Sequence, residues 1–347
     1  MGIRRNGRSI AYRFHAKSLV SLSVTYTLRS NCRLIAHHAA RRVILHQATP
    51  PMNSLIYHIA SGQAFFSGVT LIIVAAMAST RGTRLARRVA VLGFVIGIIA
   101  VAISSTAIPY WCYGLAGVVT GAWLASRFVE RWRRWTPIAV GVAWAIAAAV
   151  ELPYHVMPSL EPAASRSVTV IGDSVTAGMG SSDQSIRWPM LLAEEHDLDI
   201  QDLSYPGATV ATALRRAQSP PITSSVVLLE IGGNDLLGDT TSAQFARDLD
   251  ALLAHISAPG RQTIMLELPL PPFRHEFGRI QRALARQYHV ALVPKRVFLS
   301  VLTASDATVD TIHLSQTGHQ HMAERMWEVL RTAFSTTRTV KRGDASS

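Results

Sequence analysis

Ser167-Val168-Thr169-Val170-Ile171-Gly172-Asp173-Ser174-Val175-Thr176-Ala177-Gly178 decides how this chain is read. A short β-branched run ends in a serine bracketed by glycines, as expected of a buried strand with a polar side chain at its carboxyl end. The pattern repeats downstream. Strands are predicted at 167–171, 200–203, 225–231, 263–268 and 290–293. Helices are predicted near 187–196, 209–217, 242–257 and 275–288, with a last one at 315–334. Alternation of this kind predicts a parallel sheet covered on both faces, with its ligand at the carboxyl ends of the strands. Residues 166–335 are numerous enough for one well-buried core.

A serine is a weak nucleophile until a base takes its proton. The candidate base is His313, in Val309-Asp310-Thr311-Ile312-His313-Leu314-Ser315. The spacing Asp310-x-x-His313 lets one short loop set a carboxylate against the imidazole, fixing its tautomer and stabilising the imidazolium. Two further turns fall at strand carboxyl ends: Ser204-Tyr205-Pro206-Gly207-Ala208 and Gly232-Gly233-Asn234-Asp235. The Asn234 amide and a glycine N–H there could donate to a developing oxyanion, each worth roughly 3–4 kcal/mol in the transition state. Singly, each motif is also what an ordinary turn looks like.

In this order, Gly172-Asp173-Ser174, Gly207, Gly232-x-Asn234-Asp235 and Asp310-x-x-His313 resemble the four blocks of the SGNH/GDSL hydrolase superfamily. The ending Asp310 to His319 is similar to the family's last block, and Trp188-Pro189 resembles its first helix. The resemblance covers about residues 166–335. It implies a flavodoxin-like three-layer α/β/α fold with a parallel sheet, and acyl-ester hydrolysis without metal or cofactor. It assigns Ser174 as nucleophile, His313 as base and Asp310 as its orienter. The oxyanion hole would be the Ser174 and Gly207 backbone N–H groups with the Asn234 side chain. Asp173 and Asp235 are read as loop supports.

Other motifs yield less. Thr176 stands where Gly-x-Ser-x-Gly would need its second glycine, so this is not the elbow of α/β-hydrolases. There is no Walker loop, dinucleotide fingerprint or His-Glu-x-x-His. His319 and His321 lack the i, i+4 spacing of a zinc pair and are read as structural. Leu268-Pro269-Leu270-Pro271-Pro272 is read as a loop bordering the acyl pocket, and Ser315 as a helix cap. Two cysteines, Cys32 and Cys112, make neither a disulfide framework nor a thiolate zinc site.

The first half is of another kind. Only 16% of the 347 residues are charged, against about 25% in soluble domains, and mean hydropathy is +0.22. The net charge of +12 is uneven: 1–165 carry 17 basic and three acidic side chains, whereas 166–335 carry 14 and 18. Basic charge beside apolar runs, with an acidic globular part, argues against a nucleic-acid partner. Runs 43–80, 89–126 and 135–150 hold no Lys, Arg, Asp or Glu. Four membrane spans are predicted at about 57–79, 89–108, 111–126 and 136–152, with Tyr110 and Trp111 at headgroup level. A buried helical core is the alternative. Arginine-rich loops 81–88 and 127–135 would both face the cytoplasm, which puts everything beyond about 153 outside.

The expected organisation is a basic leader at 1–51, a membrane region at 52–152, a linker at 153–165, the hydrolase domain at 166–335 and a basic tail at 336–347. The leader holds nine basic residues and no acid, at odds with an outside N-terminus. Translation from Met52 is the preferred resolution, and a first run that does not span is the other. Prolines at 153, 158 and 162 predict an extended linker. The spans are read as free of intramembrane acid or base, which favours an anchor over a transport path.

The expected activity is that of a membrane-anchored, extracytoplasmic serine esterase, its partners an acyl-ester substrate and the lipid bilayer. Acetylated envelope carbohydrate and lipid esters both remain open as substrates. The alternatives are acyl transfer to an envelope polysaccharide, and a non-catalytic anchored binding module.

Overall fold

The computed structural model describes residues 54–335 except 181, 182 and 311; the leader and the basic tail lie outside the described residues. Among these residues five strands form one sheet: β1 (Ser167–Gly172), β2 (Asp199–Asp202), β3 (Val226–Glu230), β4 (Gln262–Leu266) and β5 (Ala291–Val293). All pairings are parallel, in the order β2-β1-β3-β4-β5. This is the flavodoxin-like order, whose switch point lies between β1 and β3. Period-two alternation loads both faces. Val168, Val170, Leu228 and Ile264 feed one core, and Ile171, Val227, Leu229 and Met265 the other.

The helices that cover the sheet follow from apolar stripes at helical spacing. On the first face lie α7 (Trp188–His196), α12 (Lys295–Leu302) and α13 (Gln316–Phe334), the last through Met322, Met326, Val329 and Leu330. On the second lie α8 (Val210–Ala217), α10 (Ser242–Ile256) and α11 (His275–Gln287), with Phe245, Leu249, Leu252 and Ile256 fully buried from α10. Each such side chain contributes roughly 1.5–3 kcal/mol. Two single-turn helices, α6 (Ser174–Ala177) and α9 (Gly233–Leu237), follow β1 and β3 at the switch point.

Among the described residues, five α-helices precede the sheet: α1 (Ser54–Ala60), α2 (Gln63–Ala78), α3 (Arg84–Ile103), α4 (Tyr110–Ala125) and α5 (Thr136–Glu151). Gly68 on α2 and Gly97 on α3 let the two backbones meet: a Cβ on either would lie 2.6–2.8 Å from the other's carbonyl oxygen. Small residues at a helix crossing are how bundles pack in lipid.

The four expected spans are not all present as single helices. By length and composition, α3 and the stretch Thr136–His155, which continues α5 through a 3-10 turn, are long and apolar enough to cross a membrane. α1 and α2 would make a third only as a pair bent by 86° at Ser61 and Gly62, Gly62 having φ +84. At 16 residues α4 is about 24 Å long, short of a hydrocarbon core of about 30 Å.

The two basic loops lie at one end of the bundle, where Trp123 Nε1 donates to Ser79 Oγ at 3.2 Å and Thr136 Oγ1 to Ser126 Oγ at 3.1 Å. At the other end Ser104, Ser105 and Thr106 are buried against the α/β part. Ser105 Oγ accepts the Leu270 N–H at 2.7 Å, the Ser104 carbonyl accepts His275 Nε2–H at 2.9 Å, and the Lys295 ammonium donates to the Ser105 carbonyl.

The expected absence of acid from the spans is corrected by Glu151, which ends α5 fully buried. It takes both ends of the Arg282 guanidinium, at 2.6 and 2.8 Å. Arg282 Nε also donates to Glu267 at 2.7 Å, and Lys295 lies 3.5 Å from the same carboxylate. Two acids and two bases thus neutralise one another where the helices meet the α/β part. Glu151 belongs to this junction and not to a path through the bundle.

Nor is the linker an extended tether. Leu152–His155 form a 3-10 turn, Leu160 is buried, and the Ala163 N–H bonds the Ala333 carbonyl at 2.9 Å. Prolines that pre-set the backbone make such packing cheap in entropy.

Candidate active site

Ser174 is the first residue of α6, directly after β1. Asp173 caps that turn, its carboxylate accepting the Val175 N–H at 3.0 Å. Gly172 is needed for the sharpness of the turn, since a Cβ there would sit 2.4 Å from Thr176 Oγ1. His313 arrives from the loop before α13. That loop is pinned by the Thr308–Leu314 bridge, and the Ser315 hydroxyl caps α13 by accepting the Gly318 N–H at 3.2 Å.

His313 Nε2 lies 3.2 Å from Ser174 Oγ, and His313 Nδ1 lies 2.7 Å from Asp310 Oδ2. An ionised carboxylate only accepts, so Nδ1 carries the proton and Nε2 presents its lone pair to the serine. Burial acts to raise the Asp310 carboxyl, but hydrogen bonds from the His313 ring and from the His313 and Ile312 N–H groups outweigh it and hold it at about 2. The Asp310 carboxylate is therefore charged throughout the physiological range.

Asn234, on α9, donates to the Ala208 carbonyl at 2.9 Å and has a longer contact of 3.4 Å with Asp173. The first bond fixes the amide plane, and the weakly held second N–H is the one an oxyanion would take. Gly207 stands at φ +75, the left-handed conformation glycine favours. Asp235 ties the two turns together by accepting the Val210 N–H at 2.9 Å. Both aspartates thus act as supports, as the sequence suggests.

Ser174 lines an apolar cavity of about 230 Å³, walled by Leu236, Leu268, Pro269, Phe298 and Leu302. The Leu268–Pro272 loop does border it, through its first two residues. Phe298 and Leu302 come from α12, a helix not among those the sequence predicts. Its signal is Val297, Phe298, Val301 and Leu302, an apolar pair repeated after four residues. A second, more polar cavity of about 620 Å³ opens nearby and is lined by Ala177, Arg187, Ser204 and Tyr205.

Glu230, the last residue of β3, is the other residue the sequence reading misses. It is buried, accepts the Thr176 hydroxyl at 2.8 Å, and faces the Asp173 N–H at 3.4 Å. Thr176 in turn accepts Trp188 Nε1–H at 3.3 Å, which gives both residues a structural role beneath the Ser174 turn. Burial, reinforced by the charge of Asp173, pushes the Glu230 carboxyl well above its usual range, and burial lifts Asp173 to about 6. The available signal is an acid closing an otherwise apolar strand. His319 is buried, its Nδ1 accepting the Trp188 N–H at 3.4 Å, in line with a structural role.

Residues 170–321 match the GDSL-like Lipase/Acylhydrolase family. Esterase TesA of Pseudomonas aeruginosa is 30% identical over 188 residues, 49% of this chain and 90% of that protein. The chain belongs to the GDSL-like lipase/acylhydrolase family. Another member, the Thioesterase 1/protease 1/lysophospholipase L1 of Escherichia coli K12, is 26% identical over 194 residues, 51% of this chain and 89% of that protein. The crystal structure of the esterase EstA from a Pseudoalteromonas species is 22% identical, with a TM-score of 0.43 over 50% of this chain and all of that one. As a GDSL-like acylhydrolase, the chain is a carboxylic ester hydrolase.

Proposed function

We propose that this acylhydrolase works as a serine esterase anchored in a membrane by its N-terminal helices, with the α/β part on the extracytoplasmic side. The observation that carries the catalytic reading is the relay Asp310–His313–Ser174, at 2.7 and 3.2 Å, at an apolar cavity. In the first half-reaction His313 Nε2 takes the serine proton as Ser174 Oγ attacks the acyl carbonyl. The oxyanion is held by the Ser174 and Gly207 N–H groups and the Asn234 amide. Collapse breaks the bond to the alcohol, which leaves with the proton from His313, and the acyl group stays on Ser174. In the second half-reaction His313 takes a proton from water, the hydroxide attacks the acyl-enzyme, and the proton returns to Ser174 as the acid departs.

Anchoring is supported by the lipid-compatible outer face of the bundle, where Val91, Leu92, Ile96, Ile99 and Val118 are exposed. Orientation is supported by the placement of both arginine loops at the end of the bundle away from the α/β part.

The test is hydrolysis of a short water-soluble ester by the full chain in detergent. Ser174→Ala is expected to lower kcat by about 10⁴-fold or more with the fold retained; a variant as active as the parent would end the serine reading. For topology, single cysteines placed at Arg84 and Arg331 in a Cys-free background are expected to label from opposite faces of intact cells.

A further inference from the structure

The wall of the acyl cavity is fastened to the outer end of the bundle. Leu268 and Pro269 line the cavity, and the next residue, Leu270, donates its N–H to Ser105. Five residues on, His275 donates to the Ser104 carbonyl. Ser104 is the C-cap of α3, so these bonds hold the loop at the level where the apolar run of that helix ends. Between the two anchors stands Phe273, 83% exposed at φ +66. A bulky residue in the left-handed region is an outlier that the surroundings must over-determine, and such outliers mark function.

Phe273 is not alone at this level. Tyr110 and Trp111, in the first turn of α4, are 67% and 58% exposed. Arg279 of α11 stacks on the Tyr110 ring at 3.7 Å, which joins the two parts here again. Aromatic rings from both the helices and the α/β part therefore occupy one stratum, the pattern of an aromatic belt at a membrane–water interface. Leu237 and Ile312, which line the cavity, are themselves exposed. Water is a poor neighbour for so much apolar surface beside a site opening.

We propose that the α/β part rests in the headgroup layer of the bilayer that holds its own helices, with Phe273 inserted, and that its substrates are acyl esters of membrane lipids drawn from that same leaflet. This rests on the serine-esterase and membrane-anchor readings above. Lipid ester bonds lie at the boundary between headgroups and hydrocarbon, the level of the Ser104–Ser105 strap. A cavity walled one residue from that strap can receive an acyl chain without passing it through water. At about 230 Å³ the cavity is smaller than a whole long acyl chain. The cavity thus takes the ester-proximal part of a long chain, and the remainder stays in the hydrocarbon.

The test uses the full chain in phosphatidylcholine nanodiscs with two substrates, dioleoylglycerol and soluble p-nitrophenyl butyrate. Dioleoylglycerol in the same disc is expected to be cleaved at least tenfold faster than dioleoylglycerol offered in separate, protein-free discs. Phe273→Asp is expected to lower the ratio of lipid to butyrate turnover at least tenfold, and Phe273→Trp to restore it. Equal cleavage from both kinds of disc, an unchanged ratio, or butyrate turnover with no lipid cleavage would each overturn the proposal while leaving the esterase reading in place. Undiminished butyrate turnover by Ser174→Ala would remove the esterase reading itself, and this proposal with it.

Discussion

Arg282→Met is the most informative single change away from the active site. The arginine is buried between Glu151 and Glu267, with Lys295 beside the latter, so the cluster is neutral as it stands. Burial acts to lower the Arg282 pKa, but the two carboxylates outweigh it and raise it above the ordinary value. Removing the guanidinium leaves two buried carboxylates sharing one ammonium. Breaking a buried pair from one side costs about 3–5 kcal/mol. At roughly 2–4 °C per kcal/mol for a unit of this size, Tm is expected to fall by on the order of 10 °C. The double change Glu151→Leu with Arg282→Met removes one charge of each sign and leaves Lys295 with Glu267. Because apolar replacement of a buried pair is often neutral, most of the loss is expected to return. Thermal unfolding of the purified full chain in detergent, followed by intrinsic fluorescence, measures both. A single-variant drop under about 3 °C, or a double variant no better than the single, would refute the charge-balance reasoning.

Further outcomes concern the site. Asp310→Asn, which keeps the shape and loses the charge that fixes the His313 tautomer, is expected to lower kcat by about 10⁴-fold on a soluble ester. Since Asp310 is held at about 2, below its unfolded value, its contribution to stability is complete above about pH 4 and fades as pH falls toward 2. A pH–rate profile should therefore show no Asp310 inflection above pH 4. Glu230 and Asp173 shift the other way: the folded state keeps protons the unfolded chain gives up, so stability declines as pH rises above about 4, through about 6 for Asp173 and onward for the more strongly raised Glu230. Glu230→Gln is expected to flatten that decline, read as urea midpoints across pH 4–8; an unchanged slope would discount the pair. Leu302→Trp fills the acyl cavity, and a chain-length series of soluble esters is expected to shift its optimum toward acetyl while short-chain turnover persists.

The sheet was legible because its signals are local. Runs such as Val226–Glu230 sit between turns, and parallel strands buried on both faces read as continuous apolar segments. Three of the four blocks were legible for a related reason: they fall where β1, β2 and β3 end, and parallel packing brings those ends to one edge, whereas Asp310 and His313 come from the loop before α13. The junction was not. Glu151 stands 131 residues before Arg282, and each of Glu151, Arg282 and Lys295 alone looks like a surface charge; only the fold places them together. The span count was misjudged at Gly62 and in α4, because hydropathy reports how apolar a stretch is and not whether its helix bends or stops short. Helix α12 escaped notice since eight residues beginning with Lys295-Arg296 give too brief a stripe.

The strap at Ser104–Ser105 also determines how this enzyme would find its substrate. A hydrolase on a long tether searches a volume. One bonded directly to the cap of its own helix has no reach, so in the membrane arrangement proposed here its encounters are lateral. Turnover would then follow the surface density of ester per unit area and slow as the leaflet stiffens, whatever the amount of ester dissolved in the fluid above.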